Sequence, residues 1–296
     1  MSTPTTSAPT TTGAGSRSAP RVMRHQRPTL GAKLLGLVAW LIGLAFVFPV
    51  LWMLLTSLHK ETDAATNPPS FFAPLSLDGY RAFFSAGPLP PLINSATASI
   101  ISTILVIALA FPAAYALSIR PVRKWTDVLF FFLSTKFLPV VAGLLPIYLF
   151  AQQVGLLDNI WLLILFYTVM NLPIAVWMLR SFLAEVPIEM LEAAQIDGAG
   201  IIMTMRKIIA PVVTPGIAAA ALICFIFSWN ELLFARVLTG TVASTAPVFL
   251  TGFVTSQGLF LAKVCAASLV VSLPVLIAGF AAQDKLVQGL SMGAVR

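Results

Sequence analysis

Residue types that could do chemistry are scarce in this chain. Its two histidines, His25 and His59, form no H-E-x-x-H or similar metal-binding pattern. Its two cysteines, Cys224 and Cys265, each lie in an apolar run, so we expect lipid-facing or packing residues rather than a disulfide, a zinc site or a reactive thiol. The chain also contains no G-x-x-x-x-G-K-[ST] phosphate loop. The sequence therefore predicts no catalytic residue, no metal site and no bound cofactor.

The most unusual polar stretch, EAAQIDGAGIIMTMRKIIAP at residues 192–211, lies between two long apolar runs. Pro187 is expected near the start of a short helix, and Gly198 is a natural left-handed stop at its end. A second short helix with basic residues near its end is expected to lead to Pro211, which would begin the next apolar run. The pattern predicts a helix-turn-helix outside the bilayer. It either rests in the lipid headgroups or docks onto a cytoplasmic protein.

Helical spacing assigns faces to the first of these two helices. Ile188, Leu191 and Gln195 fall on one face by the three-and-four spacing. Ala193 and Ala194 carry small side chains that would let another protein surface approach closely.

The elements around this stretch must cross a membrane. The 296-residue chain is 58% hydrophobic and 10% charged, with a mean hydropathy of +0.92, whereas soluble domains carry about 25% charged residues. Apolar runs recur at lengths that suit a hydrocarbon core of about 30 Å. We predict an all-α polytopic membrane protein with six transmembrane helices, at approximately residues 34–58, 94–118, 128–152, 159–180, 211–235 and 262–283.

The chain divides into a tail and one membrane domain. Residues 1–28 are rich in Ser, Thr, Pro and Gly, so we expect a disordered tail, and residues 29–296 are expected to form the transmembrane domain. The first apolar run, 34–58, is too long for the hydrophobic region of a cleaved secretory signal and is expected to be a membrane anchor.

The distribution of basic residues predicts the orientation. With six spans, 13 of the 18 Lys and Arg residues fall on one side and four on the other, and Lys136 lies inside a span. The basic side is cytoplasmic by the positive-inside rule. Both termini and the 192–211 segment are therefore expected in the cytoplasm, and the net charge of +7 reflects topology rather than nucleic-acid binding.

The 192–211 segment resembles the EAA motif of ABC importer permeases, E-A-A-x3-G-x9-I-x-L-P. The matching positions are Glu192, Ala193, Ala194, Gly198, Ile208 and Pro211. Ala210 departs from the motif's usual Leu.

Three further segments are similar to the permeases of carbohydrate importers, the maltose-type inner-membrane subunits. They are NPPSFFAPLSLDGYRAFF at 67–84, FSWNELLFA at 227–235 and LVQGLSMGAV at 286–295. With the EAA loop, they stand in the family's order along nearly the whole chain after the tail.

The resemblance implies a subunit that pairs with a second, related permease as a heterodimer, with two ATPase subunits and with an extracytoplasmic solute-binding protein. ATP and Mg belong to the ATPases, and the EAA helix couples them to the spans. The implied coupling residues are those of the motif together with Asp197. The tail 283–296 would also reach the ATPase pair. The other partners implied are membrane lipid and a carbohydrate, a sugar or sugar alcohol, and no nucleic acid is expected. The segment 133–150 is most similar to the polyol branch of the group, and disaccharides and glycerol-phosphate-type solutes are the alternatives.

Candidates for the translocation path come from polar residues near the spans. Lys136 lies nine residues after Asp127, about 13 Å along a helix, and a charge at that depth indicates a functional site. The alternatives are a side chain that snorkels to the interface or one that pairs with a polar group of the partner permease. Asn230 and Glu231 lie about 30 Å along a straight helix from Pro211, at the outer mouth, as part of the path or as an interfacial polar pair beside Trp229.

Four more polar or aromatic residues within the predicted spans match the needs of a sugar, namely Tyr148, Tyr167, Asn171 and Trp177. Packing is the alternative for each. Asn94, at the outer start of the second span, is expected to cap its helix.

Two other classes of function compete with the permease. An ion-coupled secondary transporter is the alternative, but it often needs carboxylates at mid-membrane depth, and no Asp or Glu lies clearly inside a span. A membrane enzyme would need a convergent catalytic set, which the sequence lacks.

Overall fold

The computed structural model describes residues 30–66, 71–119, 123–137, 140–255 and 258–294. The chain forms two compact units, residues 1–49 and 50–296. In the first unit, the large apolar side chains of the helix that begins at Leu30 are mostly exposed. The predicted tail, 1–28, lies outside the described residues.

Helices make up most of the second unit, as predicted for an all-α fold. The described helices are α1 Leu30–Ser57, α2 Glu61–Ala64, α3 Asp78–Ser85, α4 Leu89–Ser118, α5 Trp125–Ser134, α6 Val140–Gln153, α7 Ile160–Leu183, α8 Ile188–Ile196, α9 Ile201–Met203, α10 Ala210–Val212, α11 Thr214–Trp229, α12 Leu233–Leu238, α13 Ala246–Thr251 and α14 Leu261–Ala294. A 3-10 turn, Thr135–Phe137, follows α5, and a π-helix, Thr204–Ile209, joins α9 to α10. The exception is a short antiparallel hairpin, β1 Val254–Thr255 with β2 Gly258–Leu259.

Four described helices are long and apolar enough to cross a membrane. They are Lys33–Ser57, Leu89–Ser118, Ile160–Leu183 and Leu261–Gln283, and they match the predicted first, second, fourth and sixth spans. A bent pair, Ile201–Val212 with Thr214–Trp229, makes a fifth if it is one span. The described residues therefore hold four to five spans.

The predicted third span, 128–152, is not one continuous helix. α5 ends at Ser134, a 3-10 turn follows, and α6 begins at Val140. A sixth span therefore stays a prediction.

The predicted fifth span, approximately 211–235, coincides in part with the bent pair of helices. Pro211 lies in α10, the chain bends by 83° before α11, and α11 ends at Trp229. Pro211 and Pro215 both lack the N–H that would continue the helical ladder through Val213. The Thr214 hydroxyl donates instead to the Ala210 carbonyl, at 2.9 Å.

The largest apolar core packs α4, α7 and α11 together. Its buried members include Val106, Ala110, Ala114, Ala175, Val176, Leu179, Ala220 and Cys224. Alanines at these contacts let the helices approach closely, as is common between membrane helices. Cys224 is fully buried, so of the two roles expected for it packing is the one observed.

Gly216, at the start of α11, packs directly against α7. A Cβ there would overlap the Phe182 ring, so this contact sets how closely the bent segment approaches α7.

We predict that Gly216→Ala lowers the stability of the purified protein by about 1–3 kcal/mol through overpacking. Thermal unfolding in detergent measures the change. Gly279→Ala is the matched control, because Gly279 lies in the apolar helix α14 with no atom near its missing Cβ. Equal melting temperatures for the two variants would contradict the close contact.

Candidate functional site

The EAA segment folds as a short helix with two different faces. Leu191 and Ala194 of α8 are buried, and Leu191 joins the core formed by α4, α7 and α11. Glu192 and Ala193 are exposed on the other side. The predicted face is therefore only partly right, because Ile188 and Gln195, which share the spacing of Leu191, are exposed. The helix is anchored by one face and presents a carboxylate on the other.

Gly198 ends α8 as the sequence predicted. Its φ is +75°, in the left-handed region that favours glycine. The Ala199 N–H donates to the Ala194 carbonyl at 2.9 Å and the Gly198 N–H to the Gln195 carbonyl at 3.0 Å. This pair of bonds is the Schellman motif, which satisfies the last carbonyls of the helix. Asp197, the exposed residue before the turn, is the C-cap.

The second half of the segment turns back towards the core through the π-helix. Ile209 is fully buried and Ile208 is partly buried against the same core. Pro211 is exposed in α10. A π-helix has one extra residue per turn and is found frequently at functional sites.

A groove of about 190 Å³ separates α8 from the end of α4. Glu192 and Gln195 line it on one side and Tyr115 and Ile119 on the other. The EAA segment thus lies beside the end of α4, and the exposed polar side chains of Glu192 and Gln195 border the groove between them.

A polar layer crosses the core at the middle of the long helices. Asn171, fully buried, is the twelfth residue of the 24-residue helix α7. Its carboxamide donates to the Ser228 hydroxyl of α11 at 3.0 Å and to the Tyr167 carbonyl at 2.9 Å. The Ser228 hydroxyl in turn lies 3.2 Å from the Ser102 hydroxyl of α4. Three helices are joined at one level by these bonds.

Lys136 reaches the same layer from the 3-10 turn after α5. Its ammonium donates to the carbonyl oxygen of Met170, the residue before Asn171. Pro173 lies within the same stretch of α7. The ammonium is therefore directed towards α7, where it bonds to a backbone carbonyl of this chain. Its role in the translocation path stays a prediction.

Asn230 and Glu231 follow the last turn of α11, just after Ser228, which is bonded to the middle of α7. Their position at the outer mouth stays a prediction. Asn230 borders a cavity of about 600 Å³ between α11 and α14. Trp229 beside them is buried rather than interfacial, and its indole N–H donates to the Val271 carbonyl at 3.1 Å.

Glu231 serves as a helix cap. Its two carboxylate oxygens accept from the N–H groups of Phe234 and Ala235, at 2.9 and 3.0 Å. A carboxylate at a helix N-terminus satisfies free N–H groups and complements the helix dipole. The cap explains why the chain resumes as α12 directly after the break.

The remaining predicted candidates separate in space. Tyr148 is half-buried at the edge of a second core formed with α7, and Tyr167 is buried in it. Trp177 is half-exposed on α7. Asn94 is not a cap, because it lies inside α4 and donates to the carbonyl of Val242 in a distant loop.

Sequence reasoning missed Asp158, just before α7. Burial raises the pKa of the Asp158 carboxyl. Hydrogen bonds from the backbone N–H groups of Ala243, Val242, Gly240 and Thr241 lower it by more, so the pKa lies below the usual value. A lowered pKa favours folding above the unfolded-state value, and this stabilisation is lost only as pH falls through the folded-state value. The one local signal was the Asp-Asn pair, typical of turns.

No group of three or more His, Cys, Asp or Glu residues that could hold a metal ion occurs in the part of the chain that the structure describes. His59 is buried where an isolated bridge pairs it with Leu75.

Comparison with known proteins decides the family. Residues 107–290 match the family model of the binding-protein-dependent transport system inner membrane component. The chain belongs to this family. The match includes α7, the EAA segment and most of α14. The elements that form the candidate site of this permease therefore lie within the matched region.

Several relatives align along almost their whole length. The probable ABC transporter permease protein y4oR of Sinorhizobium fredii is 40% identical over 89% of this chain and 96% of its own. The sulfoquinovosyl glycerol transport system permease protein SmoH of Agrobacterium fabrum is 34% identical, over 84% and 89%. The trehalose transport system permease protein SugB of Mycobacterium tuberculosis is 32% identical, over 86% and 94%.

A solved structure shares the fold. It is described as a bacterial ABC transporter involved in the import of the acidic polysaccharide alginate, and it matches with a TM-score of 0.69 over 87% of this permease and 98% of its own chain, at 21% identity. The permease is therefore a multi-pass membrane component of a transport system that works with an ATPase and a binding protein.

We predict that Lys136→Met lowers the rate of uptake or changes its specificity, because the substitution keeps the stem and removes the ammonium from the polar layer. Uptake into cells or proteoliposomes measures it. Lys136→Arg retains a cation and is expected to preserve more activity. Unchanged kinetics in Lys136→Met would assign the ammonium a structural role.

Proposed function

We propose that this chain is the permease subunit of an ABC importer for a carbohydrate, a sugar or sugar alcohol, and that it couples to ATPase subunits through the EAA segment. The observation that carries the proposal is the two-sided helix α8. Its buried Leu191 joins the core of the long helices, and its exposed Glu192 and Ala193 are free to meet another protein. A movement of α8 must therefore act on the packed helices, because close-packed interiors transmit displacement rather than absorb it.

The proposed coupling residues are the EAA positions and the residue before the turn. They are Glu192, Ala193, Ala194, Asp197, Gly198, Ile208 and Pro211. The exposed members offer a contact surface, Gly198 sets the turn, and Ile208 attaches the second arm to the core. Neighbouring apolar side chains, including Ile196 at 86% exposure, add area for a protein partner.

The proposed partners are those that the family resemblance implies. We propose a heterodimer with a second, related permease, two ATPase subunits that hold ATP and Mg, and an extracytoplasmic solute-binding protein. The chain itself is proposed to be non-catalytic and to hold no cofactor, which agrees with the lack of a phosphate loop in its sequence.

The proposed topology has six spans within residues 29–296 and both termini in the cytoplasm, with 1–28 as a cytoplasmic tail. The structure offers one support. The end of α4 lines the groove beside α8, and Arg180 near the end of α7 stacks on Trp125 at the start of α5, at 4.0 Å. The loops assigned to the other side, such as those at 158 and 242, contact each other.

The proposed translocation path passes the polar layer. Lys136, Asn171 and Asn230 lie at or next to it, with Glu231 as the cap that shapes the break after α11. Tyr148 is the aromatic candidate beside the second core. A polar layer in an apolar helix bundle gives hydroxyl-rich solutes hydrogen-bonding partners that lipid cannot offer.

The substrate class rests on the relatives. Relatives named for a solute include permeases of transport systems for trehalose, for sulfoquinovosyl glycerol and, in Thermococcus litoralis, for trehalose/maltose. We propose a carbohydrate for this permease too, with a polyol favoured by segment 133–150. The ion-coupled alternative finds no support in these comparisons.

We predict that Gly198→Leu abolishes coupled uptake, because a left-handed φ costs a non-glycine residue roughly 1–2 kcal/mol and distorts the turn. Uptake and co-purification of the ATPase measure the effect. Gly200→Leu is the matched control, since Gly200 has a φ of −69° and open space at its missing Cβ. Equal uptake in the two variants would refute the role of the turn.

We further predict that Glu192→Lys uncouples the ATPase while the protein remains in the membrane, because the substitution reverses an exposed charge on the proposed docking face. ATPase association and uptake are the measurements. Full activity of Glu192→Lys would remove this side chain from the coupling surface.

A further inference from the structure

The loop 239–246, between α12 and α13, is held by a carboxylate from another part of the chain. Asp158 accepts hydrogen bonds from the backbone N–H groups of Gly240, Val242 and Ala243, at 2.8, 3.0 and 2.8 Å. Bonds to a charged acceptor are shorter and stronger than those between neutral groups.

A second set of bonds joins the same loop to α4. The Asn94 carboxamide donates to the carbonyl oxygens of Val242 and Ser244, at 2.8 and 2.9 Å. The Ser95 hydroxyl accepts from the Ala246 N–H at 2.8 Å, and Ser95 is buried. The loop is therefore fixed to α4 and to Asp158, which lies two residues before α7.

The backbone is shaped around the carboxylate. Asp158 has a φ of +56°, a left-handed conformation that aspartate tolerates better than most residues. A Cβ on Gly240 would lie 3.0 Å from an Asp158 carboxylate oxygen, so a glycine lets the loop close on this group without crowding. The left-handed backbone at Asp158 and the close approach at Gly240 together bring the carboxylate within reach of the N–H groups of the loop.

The tip of the loop is open to a partner. Thr241 and Val242 are exposed, with 75% of the Val242 surface accessible. Asp158, directly beneath, precedes α7, and the other end of α7 leads to the coupling helix α8. One helix thus connects the clamped loop to the EAA segment.

We propose that Asp158 is a positioning residue that holds the loop 239–246 for engagement by the extracytoplasmic solute-binding protein and ties that engagement to α7. The inference rests on the proposed function, which supplies this partner. Pressure on the tip then reaches the start of α7 through three charge-assisted hydrogen bonds.

The test uses the reconstituted complex of both permeases and the ATPases, with the solute-binding protein of the same transport system. Asp158→Gly keeps the left-handed backbone and removes the carboxylate, and Asp158→Asn keeps the shape without the charge. We expect basal ATPase activity to be unchanged and the half-stimulating concentration of binding protein to rise about tenfold in Asp158→Gly, with Asp158→Asn intermediate. Asp63→Asn, on α2, is the control, because no hydrogen bond joins its side chain to the loop in the described residues.

A spin label at Val242→Cys, in a Cys265→Ala background, reports the loop directly. Greater label mobility in Asp158→Gly together with the rise in half-stimulating concentration supports the proposal. Unchanged mobility overturns the clamp, and greater mobility with an unchanged half-stimulating concentration overturns the positioning role. A wild-type complex that the binding protein does not stimulate overturns the proposed function itself and this inference with it.

Discussion

The hydrogen bond from the Asn171 carboxamide to the Ser228 hydroxyl is the constraint on which the centre of this molecule depends. A polar group buried among apolar helices must find a partner, since leaving it unpaired costs several kcal/mol in a membrane. Asn171 sits at the middle of α7, so the bond fixes the level at which α11 ends. Trp229 then binds the Val271 carbonyl of α14, and Glu231 caps α12. Hydrogen bonds to α7, α14 and α12 thus hold the break after α11 in place.

The two ends of α7 have related constructions. At one end, Asp158 binds the backbone of a loop whose tip is exposed. At the other, the chain passes through a short connection into α8, where Leu191 anchors the helix and Glu192 faces outward. Each end combines a fixed contact with an open surface. Such an arrangement suits a subunit that relays movement between partners on opposite sides of a membrane.

Much of the architecture could be predicted because its causes are local. Long apolar runs must become helices in a membrane, where only helices or closed barrels satisfy the backbone, and four of the predicted spans are helices close to the predicted bounds. Gly198 ended α8 as expected, because a left-handed turn favours glycine wherever it occurs. The EAA spacing and three further segments pointed to the family that the comparisons establish. The partner subunits and the solute stay outside what one chain can specify.

The sequence by itself determined the class of protein, most of its spans and the turn in the coupling segment, since these follow from composition and from residues a few positions apart. Only the tertiary structure decided the bend before α11, the bond from Asn171 to Ser228 and the bonds between Asp158 and a loop more than 80 residues away. The physical reason is that these features depend on contacts between distant segments. A count along a straight helix cannot anticipate a bend of 83°, and an aspartate shows its partners only when the chain has folded.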